Sequence, residues 1–191
     1  GVSGFINTDT MLPPFVSAYA LSKSQFVDWL RYFSSWKMKV INMKIEHMYG
    51  PGDDSKKFMN WMLSQLRNNV PSIELTKGEQ KRDFIYIDDV VSAFLIVIRH
   101  INEFQKYSEF QVGTGYSVPL RDIVEVLVSL YKSKDPTNNT KIEYGKIPYR
   151  ENEPMEIIVD NRHLMELGWK PKTGLREGIN NLLLRLEKDE L

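Results

Sequence analysis

Apolar residues recur along the chain in short blocks of two kinds, and their alternation predicts the architecture. Val40, Ile41, Met43 and Ile45 crowd into one stretch and predict a buried strand over residues 39–45, stopped by the turn signal Tyr49-Gly50-Pro51-Gly52. Shorter strands are predicted at residues 5–10, 73–75, 84–87, 110–112, 141–144 and 155–159, the first running into a loop at Pro13-Pro14. Helical spacing takes over between them. Phe26, Leu30 and Phe33 predict an inward stripe on a helix over residues 19–36, and Phe58, Met59, Met62, Leu63 and Leu66 predict another with Ser55 as its N-cap. Asp88 or Asp89 is expected to cap an apolar helix reaching about residue 101. Ser117 and Pro119 open a further helix that turns Ile123, Val124, Leu127 and Leu130 inward, and two more close the chain over 164–167 and 174–186. Residues 76–83 and 133–140 read as polar loops.

Strands alternating with helices predict the α/β class, a parallel or mixed sheet layered by helices. Ligands in that class bind outside the carboxyl ends of the strands. The loops after Ile6, Ile45 and Leu75 are therefore where chemistry is expected.

Composition narrows the options. The 191 residues are 42% apolar and 26% charged, enough for a sizeable core, and 25 basic side chains balance 25 acidic ones. Neutral charge without a basic stripe argues against nucleic acid as a partner, and the longest apolar run, 90–98, falls far short of a membrane span. No cysteine occurs, which removes disulfides, thiolate metal sites and a thiol nucleophile and suits a cytoplasmic protein. His47, His100 and His163 are too scattered in sequence to suggest a metal site.

Candidate chemistry is concentrated in three places. Tyr19 and Lys23 are four apart on the first helix and share a face, and an ammonium about 4 Å from a phenol favours the phenolate by roughly 4 kcal/mol at an effective dielectric of 20. That is what proton transfer near neutral pH requires. A chain of this composition yields such a spacing somewhat less than once by chance, so weight comes from Asn7-Thr8-Asp9-Thr10 just upstream, whose hydroxyls can orient an oxygen. In the segment 80–90, Arg82 can fork onto a diphosphate, while Asp88 and Asp89 read as caps rather than a carboxylate pair. In Tyr149-Arg150-Glu151-Asn152-Glu153-Pro154 a cation and carboxylates can grip phosphate and sugar hydroxyls, although surface charge is the commoner meaning of such a run. Gly113-Thr114-Gly115 lacks a third glycine and reads as a strand-to-helix turn, not a nucleotide fingerprint.

Taken in order, Phe5-Ile6-Asn7-Thr8-Asp9-Thr10, Tyr19-x-x-x-Lys23, Met48-Tyr49-Gly50-Pro51-Gly52-Asp53, Arg82 to Asp89, Phe110 to Gly115 and Leu167-Gly168-Trp169-Lys170-Pro171 resemble the carboxyl-terminal half of the extended short-chain dehydrogenase/reductase family of nucleotide-sugar enzymes. The loop between Thr10 and Tyr19 and the segment from Lys44 to Asp54 look most like the members that make CDP-3,6-dideoxyhexoses. The resemblance implies a Rossmann-like NAD(P)-binding fold with a small α/β substrate-binding subdomain, and an epimerase or 4-reductase with a dehydratase ranked last. It implies Tyr19 as acid/base, Lys23 as its modulator and ribose ligand, and Thr10 on the reacting oxygen with Thr8 as alternative. Thr8, Tyr19, Lys23 and Met48 would face the cofactor, NAD or NADP. His47, Lys57, Arg82, Arg150 and Glu153 would face a nucleotide-diphosphate sugar, with His47 standing where asparagine is usual. The family's first long helix often packs against its counterpart, which implies a homodimer.

The resemblance also implies something missing. No G-x-x-G-x-x-G or G-x-G-x-x-G occurs, so the amino-terminal Rossmann half that holds the dinucleotide pyrophosphate is expected to be absent. On this expectation residues 1–50 form a partial Rossmann segment with the Tyr/Lys helix, and 51–191 form a substrate-binding region interleaved with the remaining Rossmann elements. A catalytically silent binding or scaffold module of the same fold is the alternative function.

Overall fold

A computed structural model describes residues 4–35 and 38–188; Trp36, at the expected end of the first helix, lies outside them. In chain order the strands are β1 (Gly4–Thr10), β2 (Lys39–Ile45), β3 (His47–Tyr49), β4 (Ser72–Leu75), β5 (Lys81–Arg82), β6 (Phe84–Tyr86), β7 (Tyr107–Val112), β8 (Val118–Pro119) and β9 (Lys141–Tyr144). The α-helices are α1 (Ala18–Ser34), α2 (Phe58–Arg67), α3 (Ile87–Arg99), α4 (Leu120–Lys134), α5 (Arg162–Glu166) and α6 (Leu175–Lys188). The α/β class is as the hydrophobic pattern predicts. The chain divides into two compact units, one of residues 1–48, 83–117 and 157–172 and the other of 49–82, 118–156 and 173–191.

The first unit is built on a parallel sheet in the order β1-β2-β7. Its register places Asn7 beside Asn42 and Asn42 beside Glu109, and brings Thr10, Ile45 and Val112 level at the carboxyl ends. Side chains alternate across a strand, so each face has its own character. One face contributes Ile41, Met43, Ile45, Phe110 and Val112 to a core closed by Val90, Ala93 and Val97 of α3 and by Leu164 and Trp169. The opposite face carries Asn7, Asp9, Asn42, Lys44 and Glu109 beside Phe5 and Val40, and α1 lies over it. Burying a Leu- or Phe-sized side chain stabilises by about 1.5–3 kcal/mol, so the core face supplies most of the cohesion of this unit.

In the second unit β4 pairs with β9 in parallel and β5 with β8 antiparallel. Helices α2, α4 and α6 turn Met62, Leu63, Leu66, Ile123, Leu127, Ile179 and Leu182 inward, each 1% exposed or less. Met59 and Met62, expected in core or subunit packing, are both buried.

Several local expectations are corrected. Ser17, with its side chain accepting from the Ala20 amide, caps α1, but α2 starts after Lys57 rather than at Ser55, and no side chain caps it. Tyr86 precedes α3, so neither Asp88 nor Asp89 is its cap; both sit in the first turn, where carboxylates complement the helix dipole. Residues 155–159 join no ladder, although Ile157 and Val159 are buried in alternation, and the loop at 76–83 contains β5. Phe26 and Phe33 are 44% and 45% exposed while Leu30 between them is 4% exposed, because α1 covers the sheet with a narrower stripe than its apolar residues suggest. Among the described residues no helix is long and apolar enough to cross a membrane.

Candidate active site

In the first unit, α1 carries Tyr19 and Lys23 on one face as the spacing requires. The Lys23 Nζ donates to the Thr8 carbonyl at 2.8 Å and lies 5.8 Å from the centroid of the Tyr19 ring. One turn of helix is thereby tied to the carboxyl-terminal half of β1. Tyr19 is 55% exposed, so its phenol is open to solvent. Thr10 ends β1, and its Oγ1 accepts from the Leu12 amide at 3.2 Å, a local turn bond that fixes the hydroxyl.

Beneath α1 the polar face of the sheet forms one connected network. Asn7 Nδ2 donates to Asn42 Oδ1 at 2.7 Å, and Asn42 Nδ2 in turn reaches Asp9 Oδ2 and Glu109 Oε2, both at 3.0 Å. Lys44 meets the other Glu109 oxygen at 3.0 Å, and the Tyr107 hydroxyl donates to Glu109 at 2.9 Å. Burial alone would raise the Glu109 pKa, but hydrogen bonds from Asn42, Lys44 and Tyr107 outweigh it and hold the carboxyl below its ordinary value. Burial together with the Glu109 carboxylate pushes the Tyr107 phenol up to about 12. A cavity of about 190 Å³ opens beside this network, lined by Asp9, Thr10 and Lys44 on the sheet and by Ala20, Ser24 and Val27 on α1.

The carboxyl end of β2 continues into Glu46 and His47. Glu46 is buried, donates its amide to the Val112 carbonyl at 3.0 Å, and places Oε1 2.8 Å from His47 Nδ1. The imidazole lies against Phe84, with ring centroids 5.2 Å apart. Met48 follows on β3, half-buried.

Asp83 closes the end of β7. Its carboxylate accepts from the Thr114 amide at 3.0 Å, the Thr114 hydroxyl at 2.6 Å and the Gly115 amide at 2.8 Å. The Thr114 and Gly115 amides of the turn are thus taken by an internal anion and are not left to cradle a phosphate. Burial raises the Asp83 pKa against these three bonds, and the nearby Glu46 carboxylate adds to the rise.

In the second unit Arg82 and Glu153, 71 residues apart, form a close ion pair, and the Arg82 Nη1 also donates to the Lys81 carbonyl. Arg82 is 4% exposed, so its cation is buried with its counter-charge. Arg150 is exposed at the start of the turn in which its carbonyl accepts from the Glu153 amide. Lys57 pairs with Asp53 at 2.8 Å across one turn. The structure therefore joins Tyr19, Lys23 and Thr8 in one unit and Arg82, Glu153 and Arg150 in the other, where Lys57 also lies, paired with Asp53. Sequence reasoning missed Glu46 and Asp83. The partners of Asp83 lie 31 and 32 residues away, whereas Glu46 meets the adjacent His47, a contact that residue spacing alone does not announce.

The profile of the NAD dependent epimerase/dehydratase family matches residues 3–113, more than half of the chain. The chain belongs to that family. Among curated relatives, CDP-abequose synthase of Salmonella typhimurium is 36% identical over 189 residues, covering 95% of this chain and 62% of that protein. The dTDP-4-dehydro-6-deoxyglucose reductase of Escherichia coli is 28% identical over 184 residues, 94% of this chain and 54% of that protein. Among solved structures, the UDP-glucose 4-epimerase of Thermotoga maritima with UDP-glucose superposes with a TM-score of 0.82 at 22% identity, covering 100% of this chain and 65% of that one. The chain thus spans about 54–62% of the length of these curated relatives. At this identity the superposition establishes the Rossmann-like fold of the epimerases.

Proposed function

We propose that the chain carries acid/base and substrate-binding residues of an NAD(P)-dependent nucleotide-sugar epimerase or 4-reductase. The observation that supports this best is the pair Tyr19 and Lys23, with the Lys23 ammonium anchored on Thr8 at the substrate end of β1. Tyr19 exchanges a proton with a sugar hydroxyl or keto oxygen, and Thr10 orients that oxygen. Lys23 steadies the charge that develops on the phenol.

The residues fit one end of a dinucleotide. An ammonium has three donors, and Lys23 commits one to Thr8, which leaves two for the hydroxyls of a ribose flanked by Thr8 and Met48. The Gly113 turn does not fit the pyrophosphate, since Asp83 fills it. When bound, the nicotinamide supplies hydride exchange with a sugar carbon. Arg82 and Arg150 take the diphosphate, Glu153 the nucleoside ribose, and His47 and Lys57 further polar groups of the substrate. The identity to CDP-abequose synthase favours a cytidine diphosphate sugar. The exposed aromatic face of α1, with Phe26, Trp29, Tyr32 and Phe33, would meet a second copy in a homodimer.

The test is Tyr19→Phe in the full-length protein, assayed for NAD(P)-linked turnover of CDP-, dTDP- and UDP-sugars. Turnover is expected to fall by at least ~100-fold, with nucleotide-sugar binding retained. Unchanged turnover would reject the role of Tyr19. If the unmodified protein bound nucleotide sugars and turned over none, it would act as a silent binding module.

A further inference from the structure

Glu46 and His47 sit where three parallel strands end together. Thr10 is level with Ile45 and Ile45 with Val112, the Met11 amide donates to Ile45, and the Glu46 amide donates to Val112. Carboxyl ends of this kind are where α/β proteins hold ligands. The two side chains divide the environment sharply: that of Glu46 is 2% exposed, whereas that of His47 is 35% exposed. A buried carboxylate is costly unless its oxygens are hydrogen-bonded, and here one of them lies 2.8 Å from His47 Nδ1. No hydrogen bond reaches His47 Nε2 from any other described residue.

We propose that Glu46 is a positioning residue that fixes His47 with its proton on Nδ1, so that Nε2 recognises a hydroxyl of the bound sugar nucleotide. A carboxylate only accepts, so the bond at 2.8 Å places the proton on Nδ1. With the ring in its neutral form, Nε2 is then a bare acceptor. The second ring nitrogen of a histidine is governed in this way by the partner of the first. Phe84 against the ring limits its rotation, so the acceptor keeps one direction. An asparagine at this position would offer both a donor and an acceptor and would tolerate either kind of ligand group. The pair therefore selects a hydroxyl donor and rejects a sugar lacking it, because Nε2 would lose its water without gaining a bond. The tautomer is a property of the chain itself; only the identity of the ligand rests on the nucleotide-sugar reading above.

The experiment uses full-length protein with labelled histidine, observing the ring nitrogens of His47 by NMR before and after titration with CDP-glucose, for the unmodified protein, Glu46→Gln and His47→Asn. Glu46→Gln is isosteric, and circular dichroism verifies its fold. The expected result is an Nδ1–H ring that becomes a tautomer mixture in Glu46→Gln, an Nε2 shift on adding CDP-glucose, and affinity about tenfold weaker in Glu46→Gln, equivalent to about 1.4 kcal/mol, while His47→Asn, which keeps an acceptor, assigns the His47 ring signals and binds within a few-fold of the unmodified protein. An Nε2–H ring, or a tautomer unaffected by Glu46→Gln, would overturn the proposal whatever the ligand. CDP-glucose that shifts the amides near Arg82 and Arg150 but not the His47 ring would overturn it and leave the nucleotide-sugar reading standing. CDP-glucose that shifts nothing would overturn the ligand assignment and that reading together, with the tautomer measured separately.

Discussion

Removing the Asp83 carboxylate should loosen the end of β7 by an amount the geometry sets. Asp83 is 1% exposed and accepts from two backbone amides and one hydroxyl. In Asp83→Ala the Thr114 hydroxyl can turn to the Tyr116 carbonyl, 3.4 Å away, but the amides of Thr114 and Gly115 lose their acceptor. At about 1–3 kcal/mol for each stranded donor, less the desolvation cost of the carboxylate that is also removed, the loss is about 3 kcal/mol. Asp83→Asn keeps one carbonyl oxygen and turns its amide NH2 toward the remaining donor, so it should cost about 2 kcal/mol. Urea titration followed by tryptophan fluorescence measures both, as a lower midpoint at constant slope. The pH dependence adds an independent check. Because the folded pKa of Asp83 is raised from its ordinary 3.8, its stability contribution is full below that value and declines as pH rises through the folded pKa. The penalty for Asp83→Asn should therefore be larger in acid than at neutral pH. A change within about 0.5 kcal/mol for Asp83→Ala would refute the reasoning, since a merely exposed carboxylate behaves that way.

Two further outcomes follow from the same unit. Gly113→Ala should destabilise by at least ~2 kcal/mol, because an added Cβ would lie 2.7 Å from Asp83 Oδ2 and 2.8 Å from Val159 Cγ2; a thermal melt unchanged by the substitution would show that the turn can shift. Tyr107, pushed up from about 10 to about 12, should keep its proton in the native state to higher pH than in the unfolded chain, and stability should fall as pH rises across that interval. Absorbance at alkaline pH for the native protein and for Tyr107→Phe would resolve it. Identical titration curves would mean that the phenol is not held by Glu109.

The alternation of strand and helix was legible because periodicity is local: the apolar residues of β2 name a buried strand, and its bounds match residue for residue. The spacing of Tyr19 and Lys23 likewise puts them on one helix face without any knowledge of the fold. Caps were less legible. Ser17, which the sequence reading did not single out, caps α1, whereas Ser55, Asp88 and Asp89 cap nothing, since a cap depends on the backbone angles of the residue and not on its identity alone. Asp89 instead accepts from the Lys172 amide at 3.0 Å, a partner 83 residues away.

What the sequence determined by itself is therefore the class of fold, the ordered motifs that mark the family, and the side chains that share a helix turn. Tertiary structure alone decided which charges are committed. Strand register brings Asn7, Asn42 and Glu109 into one row, and chain return brings Glu153 to Arg82 and the Gly113 turn to Asp83. None of these pairings is nearer than 31 residues in sequence. A hydrogen bond is decided over about 3 Å, and only folding brings such distant residues that close.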